Sequence, residues 1–172
     1  MPFVDLVYLV FITLAMYATY FVLLFLLPLF FGQKITTPRK KLLLPLLYIV
    51  IFSVLAYAVS YSVQDIELAN RILHIFGGSF LGFFVCFLAA RNSEVHINKF
   101  QFFVFSVLIV LALGIANELL EFVMQEYIGL ISATSITDTW LDLVSNVIGV
   151  IFASICLVPF HRKITSSPLD HI

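Results

Sequence analysis

The sequence predicts an all-α fold, a polytopic membrane helix bundle with about five transmembrane helices. Of its 172 residues, 62% are hydrophobic and only 11% are charged, whereas soluble domains are roughly half apolar and about a quarter charged. Helices are expected because an open sheet cannot satisfy its backbone hydrogen bonds in lipid, and the alternating pattern of a membrane β-barrel is absent. The composition therefore excludes a soluble enzyme, a nucleic-acid binder and a secreted disulfide scaffold.

Five apolar stretches are long enough to cross the hydrocarbon core, which takes roughly 20 residues of helix. They lie at about residues 3–31, 42–61, 72–90, 100–124 and 139–160. The short connections leave no domain boundary, so residues 1–172 are expected to form a single transmembrane domain with a short tail at 161–172. The first stretch is too long for the core of a signal peptide and has no basic leader, so we expect it to stay in the mature protein.

The basic residues lie almost entirely on one side of the predicted bundle. Eight of the nine Lys and Arg follow the first, third and fifth spans, and only Arg71 falls on the other side. The eight are Lys34, Arg39, Lys40, Lys41, Arg91, Lys99, Arg162 and Lys163. By the positive-inside rule, this split predicts a protein of the cytoplasmic (inner) membrane with its N-terminus outside and its C-terminus and tail in the cytoplasm.

Polar residues recur near the predicted outer ends of spans three to five. They are Arg71 and His74 in span three, Gly114, Asn117, Glu118 and Glu121 in span four, and Asp138, Asp142, Asn146 and Gly149 in span five. Steps of mostly three or four residues keep each set on one helix face. We expect the three sets to meet about 5–10 Å below the outer boundary. A capping box from Ser135 to Asp138 predicts the start of span five.

The acids of this group outnumber its basic residues, Arg71 and a protonated His74. Intramembrane acids are costly and face a partner or a wet cavity. Either some of the acids carry protons, or a divalent metal ion binds, or a cationic or hydroxyl-rich ligand fills the pocket. We predict Glu118, Glu121 and Asp142 as catalytic residues and Arg71, His74 and Asn146 as binding residues. The predicted metal ligands are His74, Glu118, Glu121, Asp138 and Asp142, a set that suits Mn, Zn or Mg.

Packing offers a simpler interpretation of some of these residues. Asn146 and Gly149 are also typical of close helix contacts, and His74 alone is typical of a hydrogen-bonded packing residue. Gly78 and Gly82 form a GxxxG pair in span three. Such a pair lets a helix approach closely, so it predicts either a homo-oligomer through this face or packing inside the bundle.

The residues of this group resemble those of two groups of bacterial membrane proteins. VanZ-like proteins have a basic residue and a His that open one span, then a Glu, then an Asp-x-x-x-Asn-x-x-Gly span. Here the matching positions are Arg71, His74, Glu118 or Glu121, Asp142, Asn146 and Gly149. The phrases NELLEF and DTWLDLVSNVIG are closer to the YjdF-type proteins of unknown function. The resemblance covers about residues 70–155, and it implies an envelope protein linked to low-level glycopeptide (teicoplanin) resistance.

Three functions fit these observations. The first is a cell-envelope protein that binds or modifies a lipid-linked or glycan-type ligand near the outer leaflet, with a carboxylate as general base and a metal or His74 stabilising charge. No nucleophile stands out, so the sequence leaves open whether the protein is an enzyme. The second is a small proton-coupled transporter, although the cytoplasmic halves of the spans show no polar path. The third is a non-catalytic membrane scaffold subunit.

Overall fold

The computed structural model of the chain describes residues 2–33, 42–129 and 136–161, with side chains from residue 9 onward. These ranges contain helices and no strand, and five helices are long and apolar enough to cross a membrane. They are α1 (Pro2–Phe30), α2 (Leu43–Tyr61), α3 (Ile66–Asn92), α4 (Lys99–Ile128) and α5 (Ile136–Phe160). The predicted all-α bundle of five spans is therefore confirmed.

Three helices extend further towards the polar cluster than the apolar stretches indicate. α3 begins at Ile66 rather than at residue 72, because Asp65 caps it by accepting a hydrogen bond from the Leu68 backbone N–H at 3.0 Å. α4 ends at Ile128 rather than at residue 124, and α5 begins at Ile136 rather than at residue 139. Hydropathy alone misses these turns because they are polar. The predicted cap Ser135 lies outside the described residues.

α3 is the central helix of the bundle. In its most apolar window 56% of the residues are buried, compared with 17–28% in the other four helices. All four pack against it, and Leu81 and Phe83 of α3 are completely buried. The outer surfaces of the other helices expose many large apolar side chains. A surface of this kind requires a lipid bilayer as its environment.

Two stretches of the bundle depart from α-helical geometry next to the polar cluster. α3 is π-helical from His74 to Phe80, and the last turn of α4, Met124–Ile128, is π-helical too. Such segments are rare and are frequent at functional sites. The segment His74–Phe80 is called the π segment below.

Glycines allow α4 and α5 to approach the central helix. A Cβ on Gly149 of α5 would lie only 2.5 Å from the Ile75 carbonyl oxygen in the π segment. Gly78 faces Asn146 of α5, and Gly82 faces Val110 of α4, each at van der Waals distance. The homo-oligomer expected through Gly78 and Gly82 is therefore not supported. The close approach that this pair permits is used within the bundle instead.

The other end of the bundle carries the described basic residues Arg91 and Lys99. There α1 ends in a Schellman motif at Gly32, which has a φ of 64°, and Gln33 hydrogen-bonds the His96 backbone. Lys99 donates to the Pro159 carbonyl oxygen at 2.9 Å. These contacts join the end of α1, the connection between α3 and α4, the start of α4 and the end of α5, all opposite the polar cluster. The assignment of this end to the cytoplasm stays a prediction from the charge distribution.

His161 locks the end of α5 onto the start of α4. The imidazole is 5% exposed, its Nε2 donates to the Ile97 carbonyl oxygen at 3.2 Å, and its ring stacks on Phe102 with centroids 4.4 Å apart. Burial lowers the pKa of His161, because it disfavours the charged imidazolium, and nearby Lys99 acts in the same direction. The fold thus favours neutral His161.

We predict that this histidine makes stability depend on pH. Because the folded-state pKa lies below the ordinary value of about 6.5, the contribution of neutral His161 is fully present above that pH. It is lost progressively as the pH falls from there towards the folded-state pKa. His161→Gln keeps a donor for the Ile97 carbonyl but cannot titrate, so its melting temperature in detergent should fall less between pH 7.5 and pH 5. The exposed residue His96 supplies the control His96→Gln, which should behave as the wild type. An unchanged pH profile in His161→Gln would contradict the assignment.

Gly149→Ala tests the close packing of α5 on the π segment. Its Cβ would meet a backbone oxygen at 2.5 Å and the Ser79 Cβ at 2.7 Å, so the helices must move apart. We expect a loss of about 1–3 kcal/mol of stability, as for other overpacked cores. In Gly78→Ala the nearest atom would lie at an ordinary 3.4 Å, and the melting temperature should change little. Equal melting temperatures for the two variants would argue against this packing.

Candidate functional site

Three ionisable side chains from three helices converge in the interior of the bundle. His74 of α3, Glu118 of α4 and Asp142 of α5 each offer one ligand atom, and these atoms lie within 4.8 Å of one another. His74 Nε2 lies 3.1 Å from Asp142 Oδ1, and His74 Nδ1 lies 4.0 Å from Glu118 Oε1. The side chains are only 2–7% exposed. These three residues are called the triad below.

The π segment places two polar side chains of α3 opposite two of α5. In an α-helix, residues five apart point about 140° away from each other, whereas i→i+5 bonding brings them close to one face. His74 and Ser79 are five apart, and both are buried against α5. His74 meets Asp142, and the Ser79 hydroxyl donates to Asn146 Oδ1 at 3.0 Å. Because of the π geometry, two α3 side chains that are five residues apart face two α5 side chains that are four residues apart.

Asp142 is the most heavily bonded member of the triad. Its Oδ1 accepts hydrogen bonds from Asn70 at 3.1 Å and from Arg71, and it faces His74. Arg71 also pairs with the Asp138 carboxylate and donates to its backbone oxygen at 3.2 Å. Arg71, predicted to bind a ligand, is thus an ion-pair link between α3 and α5. Asp138, predicted as a metal ligand, lies with Arg71 outside the triad.

Glu118 differs from Asp142 in having no hydrogen bond. Both of its carboxylate oxygens are buried and lack a hydrogen-bonding partner among the described residues. A buried acceptor without a partner costs about 1–3 kcal/mol, and more when it is charged. Glu121 accepts instead from Asn117 Nδ2 at 2.8 Å, one turn along α4, and lies outside the triad. The predicted pair Glu118 and Glu121 therefore occupies two different environments.

The charges of the cluster do not balance within the described residues. The acids Glu118, Glu121, Asp138 and Asp142 lie near a single arginine, Arg71. With all four ionised and His74 neutral, three negative charges remain in excess. Bound protons or a cation must compensate them, because unpaired charge inside a membrane protein is expensive.

The donor set of the triad fits a divalent metal ion. One imidazole nitrogen and two carboxylates are ligands that Zn²⁺ and Mn²⁺ accept. A metal ion there would give the oxygens of Glu118 a partner and would remove two of the three excess charges. The hydrogen bonds from Asn70 and Arg71 would orient Asp142 as a ligand.

A cavity of about 220 Å³ adjoins the triad, between α1, α3 and α4. Its walls are largely apolar, and its polar lining comes mainly from His74, Ser79, Asn117 and Asn146. Asn146, predicted as a binding residue, is 4% exposed, and its Nδ2 has no hydrogen-bonding partner in the described parts of the chain. His74 is shared by the triad and the cavity.

The family of the chain follows from a match over almost its whole length. The model of a family described as "Predicted membrane protein (DUF2238)" matches residues 3–163. The chain belongs to this family. It is therefore an integral membrane protein, and the triad and the cavity lie within the matched range. No curated protein and no solved structure matches the chain significantly.

Sequence reasoning missed two residues of the site in this DUF2238 protein. Asn70 hydrogen-bonds Asp142, and it lies one helical turn before His74 on α3, so the i,i+4 rule could have found it. Ser79 hydrogen-bonds Asn146, but an α-helical projection turns it away from His74. The residue pattern of α3 does not indicate the π segment that brings Ser79 next to Asn146.

Removing Arg71 should expose the dependence of the fold on its ion pairs. Arg71→Gln leaves Asp138 and Asp142 without their cation, and breaking a buried pair in this way costs about 3–5 kcal/mol. The double variant Arg71→Gln/Asp142→Asn also removes a stranded charge, so it should melt at a higher temperature than Arg71→Gln alone. Arg91→Gln, at an exposed arginine of the same helix, is the control and should melt as the wild type. A double variant less stable than Arg71→Gln would refute this account.

Proposed function

We propose that this protein is a cell-envelope membrane protein that binds a divalent metal ion at His74, Glu118 and Asp142. We further propose that the metal helps to hold a lipid-linked or glycan-type ligand near the outer leaflet. The observation that carries the proposal is Glu118, a carboxylate buried in the bundle. Neither of its oxygens has a hydrogen bond among the described residues, and it lies within ligand distance of an imidazole and a second carboxylate.

The family resemblance supports the same residues. The His, the Glu and the Asp of the VanZ-like pattern correspond to the three members of the triad when Glu118 is taken as its Glu. The resemblance implies a role in glycopeptide resistance, which involves ligands of the outer envelope. The charge asymmetry of the connections supports a position of the triad towards the outer leaflet. A VanZ-like or YjdF-type identity is part of this proposal.

The environments of the acids suggest different roles for them. Asp142 is held by Asn70 and Arg71 and faces His74, so it would serve as a pre-oriented ligand that also fixes the imidazole. Both oxygens of Glu118 lack a hydrogen bond among the described residues, so Glu118 is the member that would bind the metal directly or act as a general base. A bound ion would supply Lewis-acid chemistry there. Glu121 lies outside the triad, and its role is to add negative charge on the same helix beside Glu118.

Transport and scaffolding have less support. On the other side of the triad, the described core is filled by Leu81, Phe83, Phe102 and Ala153, all completely buried. None of these four described side chains can relay a proton towards the far end of the bundle. A scaffold would need the acids to pair with a partner, whereas Asp138 and Asp142 are already held by Arg71 within the chain.

The metal proposal predicts stabilisation of the purified protein by a divalent ion. Mg²⁺, Ca²⁺, Mn²⁺ and Zn²⁺ would each be titrated against the thermal unfolding of the full chain in detergent after treatment with a chelator. At a hundred times its Kd, a bound ion adds about 2.7 kcal/mol, which corresponds to about 5–10 °C for a protein of this size. Glu118→Gln should abolish the shift, and without metal it should be at least as stable as the wild type.

Glu126→Gln is the matched control, since Glu126 is an exposed acid of the same helix and lies outside the triad. It should keep the full metal-induced shift. The proposal fails if none of the four ions stabilises the wild type, or if Glu118→Gln responds as Glu126→Gln does. In cells, the proposed envelope role predicts that deletion changes teicoplanin susceptibility and that Glu118→Gln does not restore it.

A further inference from the structure

The cavity beside the triad has features that the metal site does not use. Its volume of about 220 Å³ exceeds the roughly 150 Å³ of an engineered apolar cavity that admits benzene. Its walls come from Phe11, Ile12 and Met16 of α1 and from Leu113 and Leu120 of α4 among others, so they suit a hydrocarbon. A space of this size and polarity fits part of a lipid better than a hydrated sugar or ion.

The cavity is open towards the lipid-facing surface of the bundle. Phe11 and Ala15 of α1 and Ala116 and Leu120 of α4 all line it, and all four are exposed, Phe11 by 53% and Leu120 by 42%. α1 and α4 touch near the other end of the bundle, where Phe30 packs on Phe105. The mouth of the cavity therefore lies between two helices, at a surface that meets the bilayer.

The inner end of the cavity presents an unused hydrogen-bond donor. The Asn146 side chain is held on one side by Ser79, which donates to its Oδ1. A Cβ on Gly114 would lie only 2.8 Å from this Nδ2, so a side chain at position 114 would displace the amide. The buried Nδ2 has no hydrogen bond within the described residues, and Asn146 is one of the residues that line the cavity. An oxygen acceptor on a ligand would satisfy it.

We propose that this cavity binds a membrane lipid through a lateral opening between α1 and α4. The lipid's oxygen-bearing end accepts a hydrogen bond from Asn146 Nδ2 beside His74, and its hydrocarbon chain runs past Ala15 and Ala116 into the bilayer. The inference rests on the proposed function, whose ligand it specifies as a lipid with a long apolar chain. Both an acyl ester and a polyprenyl phosphate carry the required chain and oxygen.

Photolabelling of the full chain in nanodiscs tests this site. One arm uses a phosphatidylglycerol with a diazirine on its acyl chain, and the other uses a polyprenyl phosphate with a diazirine near its oxygen end. Labels should map to the cavity-lining parts of α1 and α4, and the arm that labels them identifies the class of chain. The proposal is overturned if neither probe labels these parts above the lipid-facing surface of α2.

Ala116→Phe should block the mouth and reduce cavity labelling about tenfold, which corresponds to about 1.4 kcal/mol of lost binding free energy. Ala112→Phe is the matched control, because Ala112 is exposed one turn away on α4 and does not line the cavity. Ala15→Phe and its control Ala18→Phe repeat the comparison on α1, in case the α4 variants fold poorly. Equal labelling of both members of the pairs would overturn the proposal.

The metal-induced thermal shift, measured on the same preparations, separates the two proposals. A normal shift in Ala116→Phe together with lost labelling supports both. A shift without cavity labelling in the wild type overturns the lipid site and leaves the metal site intact. Cavity labelling without any shift overturns the metal site and leaves the lipid site intact.

Discussion

The packing of α5 against the π segment of α3 positions the polar contacts between these two helices. Gly149 lets the two backbones approach until no side chain would fit between them. At that separation, Asp142 reaches His74 and Arg71, and Asn146 reaches Ser79. The π geometry then aligns the polar residues of both helices on one line. Glu118 of α4 completes the triad from the third side.

The placement of charge follows from the cost of burying it. Arg71 compensates acids at the edge of the cluster, where Asp138 and Asp142 hold it on both sides. No comparable partner reaches Glu118 among the described residues. An unpaired acid that only packed helices together would be replaced by an apolar residue at a gain in stability. Its presence at the meeting point of three helices is therefore best explained by a ligand, and a divalent ion suits both the charge and the donors.

The sequence predicted the parts of the fold that depend on hydropathy and on the helical spacing of polar residues. Hydropathy located the five helices, and the three- and four-residue steps put Glu118, Asp142 and Asn146 on inward faces, where the structure has them buried. Spacing alone grouped Glu121 with Glu118, although only Glu118 reaches the triad. Glu118 and Glu121 are three residues apart, so their side chains point in directions that differ enough to put only one of them in the triad. The sequence of α4 alone cannot show which one, because the positions of the neighbouring helices decide it.

Other features required the tertiary structure. The GxxxG pair of α3 predicts close approach but not the identity of the approaching helix, which is α4 or α5 of the same chain. The π-helical geometry of α3 lies where α3 packs on α5, and it brings Ser79 to Asn146. This contact between two helices is not visible in the sequence of either helix alone. The cavity likewise depends on how α1 and α4 diverge, and α1 carries no polar signal that points to it.

A metal ion in the triad can be detected by anomalous scattering from crystals grown with Mn²⁺. One strong peak is expected within about 2.0–2.6 Å of a His74 nitrogen and of carboxylate oxygens from Glu118 and Asp142. The absence of a peak there, with both oxygens of Glu118 hydrogen-bonded to ordered water or to the protein, would contradict the proposed metal site.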